Sequence, residues 1–340
     1  MLNLGVIALK MGKAHSDAAY QSRKANLAAI CDIDEKLLKA CSDEYGPEVK
    51  ASTDWHDMIN DPSIDAICVA TPDHLHLEMT VTALRAGKHV LCEKPLALHS
   101  EECKEMIRVA EETGKILMVG QVCRVAPGFV KAKQLVDAGV IGELYFVESE
   151  YAHDYSELGG WRDDPKIARH PVTGGGCHAV DLLRWITGTD PIEAFAYGTH
   201  LGLPTWPRDD TAIATFKFSD RLSGKVFVST GCKRNYTMRT VLYGTKGTII
   251  ADNTTPHISL FVAEYGGNTH FFGTPMREIE HHIPVKLASH NVTAEVNEFC
   301  DCIINNTKPL IPAEEGTRTV AVCEAIIRST ETGKPEKVIY

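Results

Sequence analysis

Apolar and polar positions alternate in blocks along the first 120 residues of this 340-residue chain. Short apolar runs at 4–8, 27–31, 66–70, 89–92 and 116–119 are separated by amphipathic stretches at 13–21, 35–44, 75–86 and 101–112. Short apolar runs between helical patterns predict buried parallel strands joined by right-handed helical crossovers. Ser100 is placed to cap the helix over 101–112, and Gly114 to stop it. After Pro127 the period changes. A helix over 128–138 is followed by strand-type alternation at 144–151, 192–198, 212–218, 225–230, 239–243 and 248–251. Val226 and Val228 fall on one face there, Phe227 and Ser229 on the other, as in a largely antiparallel sheet with one covered face. Two helices, over 292–305 and 316–330, end the chain. The pattern predicts an α/β protein of two domains, 1–120 and 121–340, with a late helix packed back on the first.

Composition narrows the class. Apolar residues make up 44% of the chain and charged residues 24%, as in an ordinary globular protein. No apolar stretch is long enough for a membrane helix. The N-terminus reads as a first strand, not a secretion signal. A net charge of −10 without a basic tract argues against nucleic acid. The 11 cysteines are scattered, with no C-x-x-C pair, so no zinc ribbon or thioredoxin-type motif is expected. Thiols in predicted strands, such as Cys31, Cys68 and Cys92, act as small hydrophobes and point to a reducing cytoplasm.

The first strand-to-helix turn carries candidate chemistry. In a dinucleotide site this turn delivers a helix N-terminus to the pyrophosphate, and glycines allow the close approach. Here the turn holds Ala8, Lys10, Met11 and Gly12; of the expected glycines only Gly12 is present. Lys10 offers a charge to the pyrophosphate. Asp32, with Ile33 beside it, ends the second predicted strand, where a carboxylate accepts bonds from the adenosine ribose. That carboxylate repels a 2′-phosphate, and no arginine follows directly, so NAD is expected in preference to NADP. Thr71 and Pro72, at the end of the strand over 66–70, would cross beneath the cofactor. His76 follows as a further cofactor candidate or a local helix-start histidine.

Downstream stand Glu93-Lys94-Pro95, at the end of a short apolar strand, and Gly174-Gly175-Gly176-Cys177-His178-Ala179-Val180-Asp181. A positioned lysine and a histidine beside a nicotinamide site suggest hydride transfer at a carbon bearing a hydroxyl. Hydride loss needs the alcohol proton removed, which suits an imidazole, and a cation favours the developing alkoxide.

These blocks, with Cys31-Asp32-Ile33-Asp34, the run from Ala70 to His76 and Gly160-Trp161-Arg162, resemble the Gfo/Idh/MocA family over nearly the whole chain. The resemblance implies an N-terminal Rossmann dinucleotide-binding domain and a C-terminal α/β domain with an open, mostly antiparallel sheet that commonly mediates dimers or tetramers. It implies a substrate hydrogen bond from Lys94, a cis peptide before Pro95, and Glu93, Trp161 and Arg162 around the nicotinamide end of the cofactor. It makes His178 the proton-exchanging group, with Asp181 a turn later to orient substrate or to pack. Many relatives carry an aspartate four residues before the histidine, where this chain has Gly174.

Arg124, His153, Asp154, Cys177, His178 and Asp181 are the candidate substrate contacts; Cys177 reads as a packing thiol rather than a nucleophile. His153 and Asp154 are the candidates to complete a proton relay with His178. Such a polar set suits a sugar, glycoside or cyclitol, and no metal is expected. Trp206-Pro207-Arg208-Asp209-Asp210 reads as a loop that either turns on itself or reaches a neighbouring subunit. The expected activity is NAD-dependent oxidation of a secondary hydroxyl, or reduction of the matching ketone, by a homodimer or homotetramer. Two other readings fit the same residues: a glycosidase or lyase using tightly held NAD for transient oxidation at a sugar C3, and a catalytically silent sugar sensor.

Overall fold

The computed structural model describes residues 1–167, 169–264, 277–288 and 290–340. The chain falls into two compact units, one of residues 1–122, 291–320 and 340, the other of 123–290 and 321–339. The segment 291–320 therefore belongs with the first unit, not with the second as the 121–340 division expected.

The first unit opens with β1 (Leu2–Ile7), α1 (Leu9–Gln21), β2 (Ala25–Cys31), α2 (Glu35–Tyr45), β3 (Lys50–Ser52), α3 (Trp55–Ile59) and β4 (Ala66–Val69). It continues through α4 (His76–Arg85), β5 (His89–Glu93), α5 (Ser100–Thr113) and β6 (Leu117–Gly120). All six strands are parallel, in the order β3-β2-β1-β4-β5-β6. Every residue of β4 and β6 is buried, which is why those runs carry no polar alternation. β3 and α3 escape the sequence pattern. β3 is a three-residue edge strand, Lys50-Ala51-Ser52, with no buried face to impose a period. His99, not Ser100, precedes the first turn of α5, and its N–H donates to Glu102 Oε2 at 3.0 Å. Gly114 ends that helix at φ 64°.

The second unit contains α6 (Pro127–Asp137), β7 (Leu144–Ala152), α7 (Cys177–Thr187), β8 (Glu193–Thr199), β9 (Thr211–Lys217), β10 (Ser223–Ser229), β11 (Thr237–Gly244), β12 (Gly247–Asp252), β13 (His257–Glu264) and β14 (Arg277–Pro284). α8 (Val292–Asn305) returns to the first unit, where Val296, Phe299 and Cys300 are buried and the helix packs on α1. That apolar face is the reason 291–320 is not part of the second unit. α9 (Ala313–Thr332) and β15 (Glu336–Lys337) close the chain.

The second sheet has nine strands, ordered β14-β13-β12-β11-β7-β10-β9-β8-β15. Its pairs are antiparallel except β7–β10, which is parallel. Val226 and Val228 are buried on the side covered by α7, while Phe227 is half-buried. Ser329 in α9 ties that helix to the sheet by accepting the Ala196 N–H at 2.9 Å. All 11 cysteines are free thiols, and ten of them are buried. Among the described residues no helix is long and apolar enough to cross a membrane.

Candidate active site

In the first unit the carboxyl ends of β1, β2, β4 and β5 gather the candidate cofactor residues other than Trp161 and Arg162, which lie in the second unit. Ala8 leaves β1 at φ 71°, a conformation that favours glycine. Its N–H donates to Cys31 O at 2.8 Å and its carbonyl accepts the Gly12 N–H at 3.0 Å, which starts α1. A Cβ on Gly12 would stand 2.7 Å from Val6 Cγ1, so only glycine lets α1 lie this close to β1. Asp32 orients its carboxylate by backbone: Oδ2 accepts the Leu9 N–H at 2.6 Å and Oδ1 the Asp34 N–H at 2.9 Å. Lys10 and Met11 are exposed on α1, and Ile33 is 90% exposed. Thr71 is buried, and its hydroxyl has no hydrogen-bond partner; Pro72 beside it is half-buried.

His76 is fully buried, with Nδ1 2.9 Å from Pro95 O and Nε2 3.0 Å from Thr71 O. Both ring nitrogens face main-chain carbonyls, so this side chain ties two loops together rather than meeting a ligand. The Lys94–Pro95 peptide is cis, as the resemblance implied. Glu93 Oε2 accepts the Lys94 N–H at 3.0 Å, and the half-buried Lys94 follows at the end of β5.

Behind Glu93 lies a cluster that no motif announced. His15 Nε2 is 3.4 Å from Glu93 Oε1 and 3.5 Å from Glu295 Oε2, with His15 and Glu295 essentially without solvent exposure. Burial pushes the Glu295 carboxyl up to about 7, although His15 beside it favours the charged form. Burial opposes charge on His15, but Cys68, Glu295 and Glu93 outweigh it and hold that histidine well above its usual range.

In the second unit His178 is buried at the start of α7, after a π-helical turn over Val172–Gly176. The three glycines of that turn are required by packing. A Cβ on Gly174 would stand 2.6 Å from Arg169 Nε, one on Gly175 would collide with the Tyr151 ring, and one on Gly176 would stand 2.5 Å from Val228 Cγ2. Arg169 thus lies where an aspartate at position 174 would project. Cys177 is fully buried and donates to Gly174 O at 3.5 Å, which packs the turn.

Aromatic and imidazole rings surround this turn. Tyr151 Oη lies 2.8 Å from Tyr155 Oη and 3.3 Å from His153 Nδ1. Tyr236 stacks on His290 at 5.6 Å, and His178 meets the His290 ring edge-on at 5.4 Å. Tyr236 and His290 carried no sequence signal, because both lie in irregular segments outside any motif.

Three expected substrate contacts are engaged elsewhere. Arg124 donates through Nε and Nη2 to the two oxygens of Asp181, and both side chains are buried. Asp154 lies 3.0 Å from Lys233 Nζ and accepts the Ser156 N–H at 3.0 Å. Those bonds, Ser156 first and Lys233 after it, hold its carboxyl down at about 2, so the expected relay acid is engaged by Lys233. Trp161 and Arg162 occupy a short 3₁₀ turn, Gly160–Asp163, where the guanidinium of Arg162 lies 4.8 Å and that of Arg169 5.2 Å from the Trp161 ring. The 206–210 loop closes within its own unit. Trp206 is buried edge-on against Tyr155, and Asp210 accepts the Leu203 N–H at 2.8 Å.

Residues 2–121 match the oxidoreductase family model described as an NAD-binding Rossmann fold, and residues 129–250 match the GFO/IDH/MocA C-terminal domain. The chain belongs to the GFO/IDH/MocA oxidoreductase family. Several of its relatives are named dehydrogenases or reductases of sugars and cyclitols. A levoglucosan dehydrogenase from Pseudarthrobacter phenanthrenivorans is 30% identical over 73% of each chain. A myo-inositol 2-dehydrogenase from Thermotoga maritima is 27% identical over 99% of this chain and 98% of its own. The solved structure of a levoglucosan dehydrogenase with NADH and levoglucosan superposes with a TM-score of 0.87, at 23% identity over the full length of both chains. As a GFO/IDH/MocA member, the first unit is an NAD-binding Rossmann domain, and its residues fit that cofactor. Gly12 leaves no room for a side chain under the turn, α1 points its N-terminus out of it, and the Thr71 hydroxyl is a buried donor without a partner.

Proposed function

We propose that this chain is an NAD-dependent oxidoreductase that acts on a secondary hydroxyl, or the matching ketone, of a sugar, glycoside or cyclitol. The observation that carries the reading is Lys94, a half-buried cation at the carboxyl end of β5 in the NAD-binding unit. Glu93 fixes its backbone, and the His76 tie to Pro95 fixes the loop that follows.

NAD, when bound, supplies the hydride acceptor for oxidation and, when reduced, the donor for the reverse reaction. The Ala8–Gly12 turn and the start of α1 would hold its pyrophosphate, and Asp32 its ribose hydroxyls, in preference to NADP. Lys94 would donate to the substrate oxygen and favour the developing alkoxide. His178 would take the hydroxyl proton on oxidation and return it on reduction. His153, Tyr151, Tyr155 and Tyr236 present ring faces and hydroxyl groups of the kind that suit a pyranose or cyclitol. Copies of the chain would pair through the open face of the second sheet, where the cross-strand neighbours Tyr197 and Ile213 are exposed.

The test is to identify the nucleotide that copurifies and to screen glycosides and polyols for a change in reduced-nicotinamide absorbance, with Lys94→Ala as control. Loss of about 10²–10³-fold in turnover with NAD binding retained supports the role of Lys94. Turnover within a few-fold of the parent rejects it. Turnover that needs no added NAD would favour the glycosidase or lyase reading.

A further inference from the structure

Three soft or borderline donors converge in the second unit from segments far apart in the chain. Cys123 lies just after β6, His178 opens α7, and His290 lies just before α8. One ligand atom from each falls within 4.8 Å of the others; Cys123 and His178 are buried, and His290 is exposed. The geometry points to a three-ligand site for a single Zn²⁺-class divalent ion, built from Cys123 Sγ and one imidazole nitrogen each of His178 and His290.

The donor chemistry selects the ion. One thiolate and two imidazoles suit Zn²⁺ and its Co²⁺ substitute and disfavour Mg²⁺ or Ca²⁺, which take oxygen ligands. Three protein ligands leave a fourth tetrahedral position for water or a substrate oxygen, the arrangement of catalytic rather than structural zinc. Bonds of about 2.3 Å to sulfur and about 2.0–2.1 Å to nitrogen would set the donors about 3.5 Å apart. The set must therefore close by at most about 1.3 Å, a movement that falls to the exposed ring of His290. Tyr236, stacked on that ring, limits its orientation. On binding, Cys123 enters as thiolate and gives its proton to solvent, so affinity rises with pH.

This inference goes beyond the proposed function. With the ion bound, His178 is a ligand and no longer the proton acceptor of the proposed function; the ion itself would lower the pKa of the coordinated hydroxyl.

The full-length protein is stripped with chelator and titrated with Co²⁺ under anaerobic conditions, followed by absorption spectroscopy, and separately with Zn²⁺ by calorimetry. One equivalent is expected, with a thiolate-to-cobalt charge-transfer band. Cys123→Ser should remove that band, and His290→Gln should weaken binding at least about tenfold. A circular-dichroism spectrum and thermal midpoint close to the parent's show that each variant is folded. Absence of Co²⁺ and Zn²⁺ binding by the parent overturns the site, as does binding unchanged in both variants. Turnover of the stripped parent reads the other question. A metal-free enzyme that turns over a glycoside and binds no cobalt upholds the dehydrogenase reading and ends this one. A chain that binds cobalt through Cys123 but reduces no NAD with any glycoside or polyol does the reverse.

Discussion

Arg124 and Asp181 face each other across two parallel hydrogen bonds of 2.8 and 2.7 Å, from Nε and Nη2 to the two carboxylate oxygens, with both side chains out of contact with solvent. Both carried the look of substrate-binding residues in the sequence. Their geometry makes them a brace between the segment after β6 and the middle of α7, the helix that begins with His178. Removing Asp181 takes both of these bonds from the buried Arg124 guanidinium. Asp181→Ala should therefore cost about 3–5 kcal/mol of stability, read from denaturant midpoints. Asp181→Asn should cost less and leave KM for substrate within a few-fold. A large KM effect from Asp181→Asn in well-folded protein would return that residue to the substrate site.

Ala8 holds φ 71° without being glycine. Such backbone strain costs on the order of 1–3 kcal/mol, while the extra freedom of glycine in the unfolded chain takes back about 0.4–1 kcal/mol. Ala8→Gly should raise the thermal midpoint by a net gain of about 1 kcal/mol and leave NAD affinity equal or better. Gly12→Ala should do the opposite, because its Cβ meets Val6 Cγ1 at 2.7 Å. Calorimetry with and without NAD checks both, and a lower midpoint for Ala8→Gly would contradict the strain.

His178 is the proposed proton-transfer group, without a carboxylate at position 174 to orient it. His178→Ala should lower kcat/KM by about 10²–10⁴-fold and remove one limb of its pH profile. Gly174→Asp should restore no dyad and should lower stability, since Arg169 occupies the space the new side chain needs. An unchanged rate and profile in His178→Ala would leave Lys94 as the one catalytic group supported.

The buried carboxyl of Glu295 has its pKa raised to about 7 by burial, against about 4.3 in an unfolded chain. A group raised on folding stabilises fully below its unfolded value, and that contribution is lost as pH rises through the folded value. His15, also raised, acts in the same direction. Relative to Glu295→Gln, the parent should lose stability as pH rises from about 4.5 to about 7. Denaturation of both proteins across that window checks the sign; parallel curves would mean that Glu295 does not titrate there.

The sequence by itself determined the parallel sheet of the NAD-binding unit, the helix over 292–305, Gly12 in the first turn and the family. Each of these rests on local chemistry: apolar runs buried on both faces, a 3.6-residue period, or a short motif whose backbone does the work. The sequence missed β3 and α3, because an edge strand of three residues has no buried face to set a period. Tertiary structure alone decided which charged side chains meet. Arg124 and Asp181 stand 57 residues apart, Asp154 turned out to serve Lys233, and His76 serves two carbonyls. The clusters of His15 with Glu93 and Glu295, and of Cys123 with His178 and His290, each draw on segments joined only by packing. Hydrophobic periodicity reports which way a residue faces relative to its own element. It holds no information about which distant element supplies the group opposite, and for buried charges that partner decides whether a residue braces the fold or does chemistry.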